Sequence, residues 1–174
     1  MPTLDLSDAQ ALSVASLEAL EVRVADETVW AKALTEYPAE VVWTDAIPDA
    51  EISRWSVLSG QALATASTQT HTSPRALYVA GSVGGVYGTT VSGLVVGREY
   101  TFSAWFRGNG GTGLYAVGVS GIGAGVPTGA PATTYVERTY TFVATATSHV
   151  LEAHVAGTPT RFDDFTLTRA AYVA

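Results

Sequence analysis

The segment Glu99-Tyr100-Thr101-Phe102-Ser103-Ala104-Trp105-Phe106-Arg107 alternates strictly between two kinds of position. Tyr100, Phe102, Ala104 and Phe106 share one parity, and Thr101, Ser103, Trp105 and Arg107 share the other. A period of two is the signature of a half-buried strand, because successive side chains leave opposite faces. The uniformly apolar set is the core face, which puts Trp105 and Arg107 on the outer face. His149 to Val155 repeats the pattern, with Leu151, Ala153 and Val155 inward and Val150, Glu152 and His154 outward. In the last such run Phe165 and Leu167 point inward and Thr166 and Thr168 outward. Together with Tyr140-Thr141-Phe142-Val143, the pattern predicts strands near 40–44, 53–58, 61–67, 75–80, 85–91, 98–107, 113–119, 134–144, 148–156 and 161–169. Short strands at regular spacing, with turn residues between them and no long helical period, define an all-β sandwich or barrel.

The front of the chain reads differently. Ser7 or Asp8 is placed to cap a short helix over 9–20. Leu20, Val22 and Val24 then alternate with Glu21 and Arg23, Ala25-Asp26-Glu27 forms a turn, and Thr28 to Leu34 returns. This is a β-hairpin. An isolated hairpin is marginal in water, so it needs a surface on this chain or on another. The division expected is a docking segment over 1–38 and a sandwich over 39–174.

Charge sharpens that division. Residues 1–51 carry eleven acidic groups against Arg23 and Lys32, whereas residues 52–174 carry five against seven arginines. The acidic front argues against binding nucleic acid, which needs clustered cations. No apolar run is long enough to span a bilayer, so no membrane role is expected. The start, Met1-Pro2-Thr3-Leu4-Asp5, lacks the basic and apolar regions of a secretory leader. There is no cysteine, which excludes disulfides, thiolate metal sites and a cysteine nucleophile.

No arrangement of nucleophile, base and orienting group emerges, and the expectation is that the chain is not an enzyme. His149 and His154 fall on opposite faces of one strand. Ser59-Gly60 and Ser120-Gly121 read as turns, and the glycine-rich stretches 81–85 and 108–113 read as sandwich loops. A saccharide site needs exposed rings with polar neighbours. Trp105 with Arg107, and the outward candidates Tyr78 and Tyr115, could line one sheet face, with Trp55 and Tyr87 as further rings. Against this stands the reading in which these rings pack under the hairpin or a neighbouring subunit.

The order of motifs is similar to that of the carbohydrate-binding-module-like jelly rolls of the galactose-binding-like fold. Trp55-Ser56-Val57-Leu58-Ser59-Gly60 resembles their W-x-x-x-x-G opening, and Ser73 to Val79 resembles their S-G-x-x-S-L-x-V strand. Val91-Ser92-Gly93-Leu94-Val95-Val96-Gly97-Arg98-Glu99-Tyr100-Thr101-Phe102-Ser103-Ala104-Trp105 resembles V-x-G-L-x-P-G-x-x-Y-T-x-S-A-W. Tyr135 to Phe142 and Phe162-Asp163-Asp164-Phe165-Thr166-Leu167 resemble the closing strands, so the likeness covers about 40–169. It implies an antiparallel β-sandwich of jelly-roll type, here with a short N-terminal helix and hairpin extension. In many members an Asp of the closing strand helps hold a structural calcium. That implies Asp163, Asp164 and Asp45 as ligands, although the N-x-x-F-E opening that completes the site is missing; otherwise Asp163 or Asp164 accepts loop hydrogen bonds.

Val22-Arg23-Val24-Ala25-Asp26-Glu27-Thr28-Val29-Trp30 resembles a V-Y-L-G-D-T-x-V-W hairpin of tail-associated virion proteins from phages of actinobacteria. The two resemblances together imply a phage structural protein, a minor tail or capsid decoration protein made in the host cytoplasm and located in the virion. Its partners would be other virion proteins, docked through Trp30, Val22 and Val24, further copies of itself in a homo-oligomer, and a host-surface glycan. The other reading is a stand-alone, non-catalytic glycan-binding module.

Overall fold

The computed structural model describes residues 21–24, 27–30, 35–45, 52–66, 69–80, 84–109, 113–129, 134–157 and 159–173. The helix expected over 9–20 lies outside them. The chain forms β1 (Glu21–Val24), β2 (Glu27–Trp30), β3 (Glu36–Tyr37) and β4 (Glu40–Asp45). After a 3-10 turn at Ile52–Arg54 come β5 (Ser56–Ser59), β6 (Leu63–Ala66), β7 (Ala76–Val79) and β8 (Gly85–Ser92). Next are β9 (Glu99–Gly108), β10 (Leu114–Val119), β11 (Gly123–Ala124) and β12 (Thr128–Gly129). The chain closes with β13 (Val136–Val143), β14 (Ser148–Ala156), β15 (Thr160–Arg169) and β16 (Tyr172–Val173).

Two compact units result, one of residues 38–171 and the other of 1–37 with 172–174. The larger unit is a sandwich of two antiparallel sheets. One sheet runs β11-β10-β14-β8-β5, with β12 also on β10. The other runs β13-β9-β15-β7-β6, with β4 also on β15. Each strand expected from alternation in this unit has a counterpart, except that Ser53 and Arg54, expected to open a strand over 53–58, lie in the 3-10 turn and β5 begins at Ser56; its architecture is the antiparallel jelly roll. Among the described residues no helix is long and apolar enough to cross a membrane.

The core follows from strand parity. Tyr100, Phe102, Ala104 and Phe106 of β9 are at most 1% exposed. They meet Leu151, Ala153 and Val155 of β14 and Val117 and Val119 of β10 in one apolar cluster. Phe162, Phe165 and Leu167 of β15 complete it. Each ring so buried contributes roughly 2–3 kcal/mol through the area taken from water. Ser59-Gly60 and Ser120-Gly121 are turns, with φ of +94° at Gly60 and +75° at Gly121. At Gly60 a Cβ would also lie 2.4 Å from the Gly84 carbonyl oxygen, so only glycine fits that approach.

In the smaller unit, β1 and β2 pair antiparallel with Val22 opposite Val29 and Glu21 opposite Trp30. Val24 pairs with Glu27, so Glu27 belongs to the second strand and not to the turn. The side chains of Val22, Val24 and Trp30 lie outside what the structure describes. β3 pairs with β16, and Tyr37 stacks on Tyr172 with centroids 4.5 Å apart and planes 8° from parallel.

Candidate functional site

Strand β15 organises the outer face of its sheet. Thr160 to Phe162 pair with β7, whereas Phe165 to Arg169 pair with β4. Between these stretches the register against β9 also slips, between Asp163 and Thr166. Asp164 takes φ +48°, a left-handed conformation that Asp tolerates better than most residues. Such a bulge re-aims side chains and ends pairing locally.

The loop after β6 is tied to this bulge. The His71 backbone N–H donates to Asp163 Oδ2 and the Asp164 N–H to Asp163 Oδ1, both at 2.9 Å. Asp164 Oδ2 accepts from the Thr72 hydroxyl at 2.5 Å and lies 2.6 Å from His71 Nδ1, while Oδ1 accepts from the Ser73 hydroxyl at 2.6 Å. Burial would raise the Asp164 pKa, but donors from Ser73, Thr72 and His71, with the charge on that imidazole, outweigh it and hold the carboxyl below its ordinary value. Asp163 is fully buried, and loss of solvation raises its pKa despite its hydrogen bonds.

The loop delivers His71 onto Trp105. The two rings stack with centroids 4.0 Å apart and planes 14° from parallel, and Tyr135 tilts against the same imidazole at 5.4 Å. Trp105 sits on the outer face, as its parity requires, and remains half-buried. Beside it opens a cleft of about 340 Å3 lined by Thr44, Thr72, Trp105, Glu137, Asp164 and Thr166. The register explains the company: Glu137 is opposite Trp105, and Thr166 is opposite both Ser103 and Thr44. A larger hollow of about 450 Å3 lies along Ser56, Leu58, Gly88 and Val150 of the other sheet. The ring it reaches, Trp43, is also packed on Phe102 of the core.

Tyr78 is on the same outer face as Trp105, with the Arg161 guanidinium 4.6 Å above its ring. Arg161 stands directly between Tyr78 and Arg107 across the strands. Tyr115, expected outward, is a correction: it is 1% exposed and stacks on Phe106. Tyr115 pairs with Val155, an inward residue, so Leu114 takes the outer position and is 45% exposed. Trp55 and Tyr87 are likewise core rings, at 4% and 0% exposure, packed around Phe162.

The aspartates do not fit the calcium cage implied by the resemblance. Calcium takes about six to eight oxygen ligands. Asp163 and Asp164 instead accept the loop donors, and Asp45 accepts the Trp55 indole N–H at 2.9 Å. Among the described residues no three His, Asp or Glu side chains converge as a metal site. The histidines are also engaged in the fold. His149 Nε2 accepts the Thr145 and Ala146 backbone N–H groups at 3.2 Å, and His154 Nε2 lies 3.0 Å from Glu152 Oε2.

His71, Glu137 and Arg161 were not predicted as site residues. His71 reaches Trp105 only because a bulge 92 residues away anchors its backbone N–H, and no local pattern signals that.

The sandwich has the fold of solved carbohydrate-binding modules. The CBM22-1 xylan-binding domain of Paenibacillus barcinonensis Xyn10C superposes with a TM-score of 0.61 at 11% identity, over 76% of this chain and 96% of that one. The CBM22-1–GH10 modules of Clostridium thermocellum xylanase 10B, complexed with xylohexaose, give 0.58 at 20% identity, over 74% of this chain and 28% of that one. TmCBM61 in complex with β-1,4-galactotriose gives 0.53 at 20% identity, over 67% of this chain and 89% of that one. No family model and no curated protein matches the sequence. At these identities the likeness is one of fold.

Proposed function

We propose that the chain is a non-catalytic glycan-binding protein whose jelly roll takes a saccharide on the outer face of the sheet β13-β9-β15. The observation that carries this reading is the cleft beside Trp105, which combines an indole, the carboxylates of Glu137 and Asp164, and the hydroxyls of Thr44, Thr72 and Thr166. Saccharides offer apolar C–H faces that pack on aromatic rings and hydroxyls that donate to carboxylates. TmCBM61, a module of this fold, is solved in complex with β-1,4-galactotriose, and a xylanase chain that includes such a module is solved with xylohexaose, which supports the reading by analogy. A glycosidase needs one carboxyl held protonated at the bond it cleaves. Asp164 is held ionised by its donors, and Asp163, whose pKa is raised, is fully buried. The test is retention on a panel of immobilised polysaccharides, including xylan and β-1,4-galactan. The protein is expected to be retained by at least one and to release no reducing sugar from it. Passage through the whole panel, or cleavage, contradicts the reading.

A second reading adds a location. The segment Val22 to Trp30, which resembles a virion hairpin, does pair as one, in a unit distinct from the sandwich. On this reading the chain is a minor tail or capsid decoration protein, displayed in many copies and docked through residues 1–38 to other virion proteins. Closed homo-oligomers are the common way to repeat weak contacts. Light scattering over a concentration range is then expected to give a fixed oligomer that deletion of residues 1–37 reduces to monomer. A monomer at every concentration contradicts this second reading.

A further inference from the structure

Trp105 is a large ring on a strand face that offers it no aromatic neighbour. On its own strand it is flanked by Ser103 and Arg107, and across the ladders it stands opposite Glu137 and Asp163. A ring in such a setting has more than one rotamer open to it, and a ligand that stacks on it must then order it. The missing neighbour comes from outside the sheet. His71 covers one face of the indole, and Tyr135 leans on the same imidazole. Trp105 lines the cleft and His71 does not, so the covered face is closed to a ligand and the rest of the indole is what the cleft presents.

The loop that carries His71 is held on both sides of this contact. Among the described residues, Gln69 and Asp164 are the non-glycine residues with positive φ, at +62° and +48°. Such backbone persists only where the surroundings over-determine it. The Gln69 carbonyl accepts the Tyr135 hydroxyl at 2.5 Å. The His71 backbone N–H is engaged by Asp163 and its Nδ1 by Asp164, so neither the backbone nor the ring is free to turn off the indole. We propose that His71 is a positioning residue for the saccharide: stacked on Trp105 from a clamped loop, it fixes the indole in the orientation that the ligand meets. The proposal rests on the glycan-binding reading and adds a residue that acts through Trp105 without touching the sugar. Affinity gained in this way comes from ordering the ring before the ligand arrives.

Two variants separate positioning of the indole from anchoring of the loop. His71→Gln keeps an N–H for Asp164 and gives up the aromatic ring, whereas His71→Phe keeps a ring for the stack and gives up that bond. The test is calorimetric titration of the full chain, in wild type and both variants. The probes are soluble oligosaccharides of each polysaccharide in the panel, xylohexaose and β-1,4-galactotriose first. His71→Gln is expected to weaken binding by roughly three- to tenfold, the cost of ordering one further side chain on binding. His71→Phe should bind nearly as well as wild type, even where its melting temperature is the lower of the two. Cooperative melts report that each variant is folded, and either variant alone decides the matter if the other is not. Undiminished affinity in folded His71→Gln, or a comparable loss in folded His71→Phe, overturns the proposal and leaves the glycan-binding reading standing. No binding of any of the oligosaccharides by wild type overturns both.

Discussion

Asp164 shows how much one residue can hold in place. Its left-handed backbone makes the bulge, and its carboxylate gathers Thr72, Ser73 and His71 above Trp105. Because its folded pKa lies below the ordinary value, it stabilises the fold fully above about pH 4 and loses that contribution as pH falls through the folded value. Asp163 works in the other direction: its raised folded pKa makes acidification favourable from the point where the buried carboxyl takes up its proton down to about pH 4, where the unfolded chain takes one up too. Asp164→Asn keeps a residue suited to the backbone but removes the charge. It is expected to cost about 1–2 kcal/mol at neutral pH in denaturant titrations. The gap to wild type should close as pH drops below 4; a gap independent of pH would contradict an ionised anchor. The possible loop-anchoring role of these aspartates was legible in the sequence. Their partners were not, because hydrogen bonds between residues more than 90 positions apart leave no local trace.

Strands were the most legible part of the molecule. On β9 every inward and outward assignment holds, since one parity is apolar throughout and the other is polar but for Trp105. Ser103 is on the outer face as expected, yet it is only 7% exposed because its hydroxyl lies 2.7 Å from that of Thr166. The outward assignment of Tyr115 failed on β10, where Leu114-Tyr115-Ala116-Val117 is apolar on both parities. There the pairing with β14 decides the phase, and composition cannot. The break in β15 was also hidden, although it lets β4 and β7 share one side of the strand and admits the loop that shapes the site. If the bulge is held by protein donors and not by a cation, excess chelator should leave the thermal melt unchanged. A drop in melting temperature restored by calcium would contradict that account.

At the scale of the whole molecule, the architecture follows from turns that keep short strands in sequence and from two apolar faces that bury each other. The sandwich, residues 38–171, holds the entire candidate site. Function was less legible than fold, since the fold serves any ligand that a sheet face can be made to fit. The specific signal is a ring left on the outside of a well-filled core, with carboxylates and hydroxyls set around it. The central claim is that this ring and its cleft take a saccharide. The most direct measurement is a fluorescence titration, in wild type and Trp105→Ala, with the oligosaccharide of whichever polysaccharide retains the protein. The account predicts saturable quenching in wild type, its loss in the variant with affinity reduced by at least roughly tenfold, and a cooperative melt showing that the variant is folded. Undiminished affinity in a folded Trp105→Ala protein would contradict it.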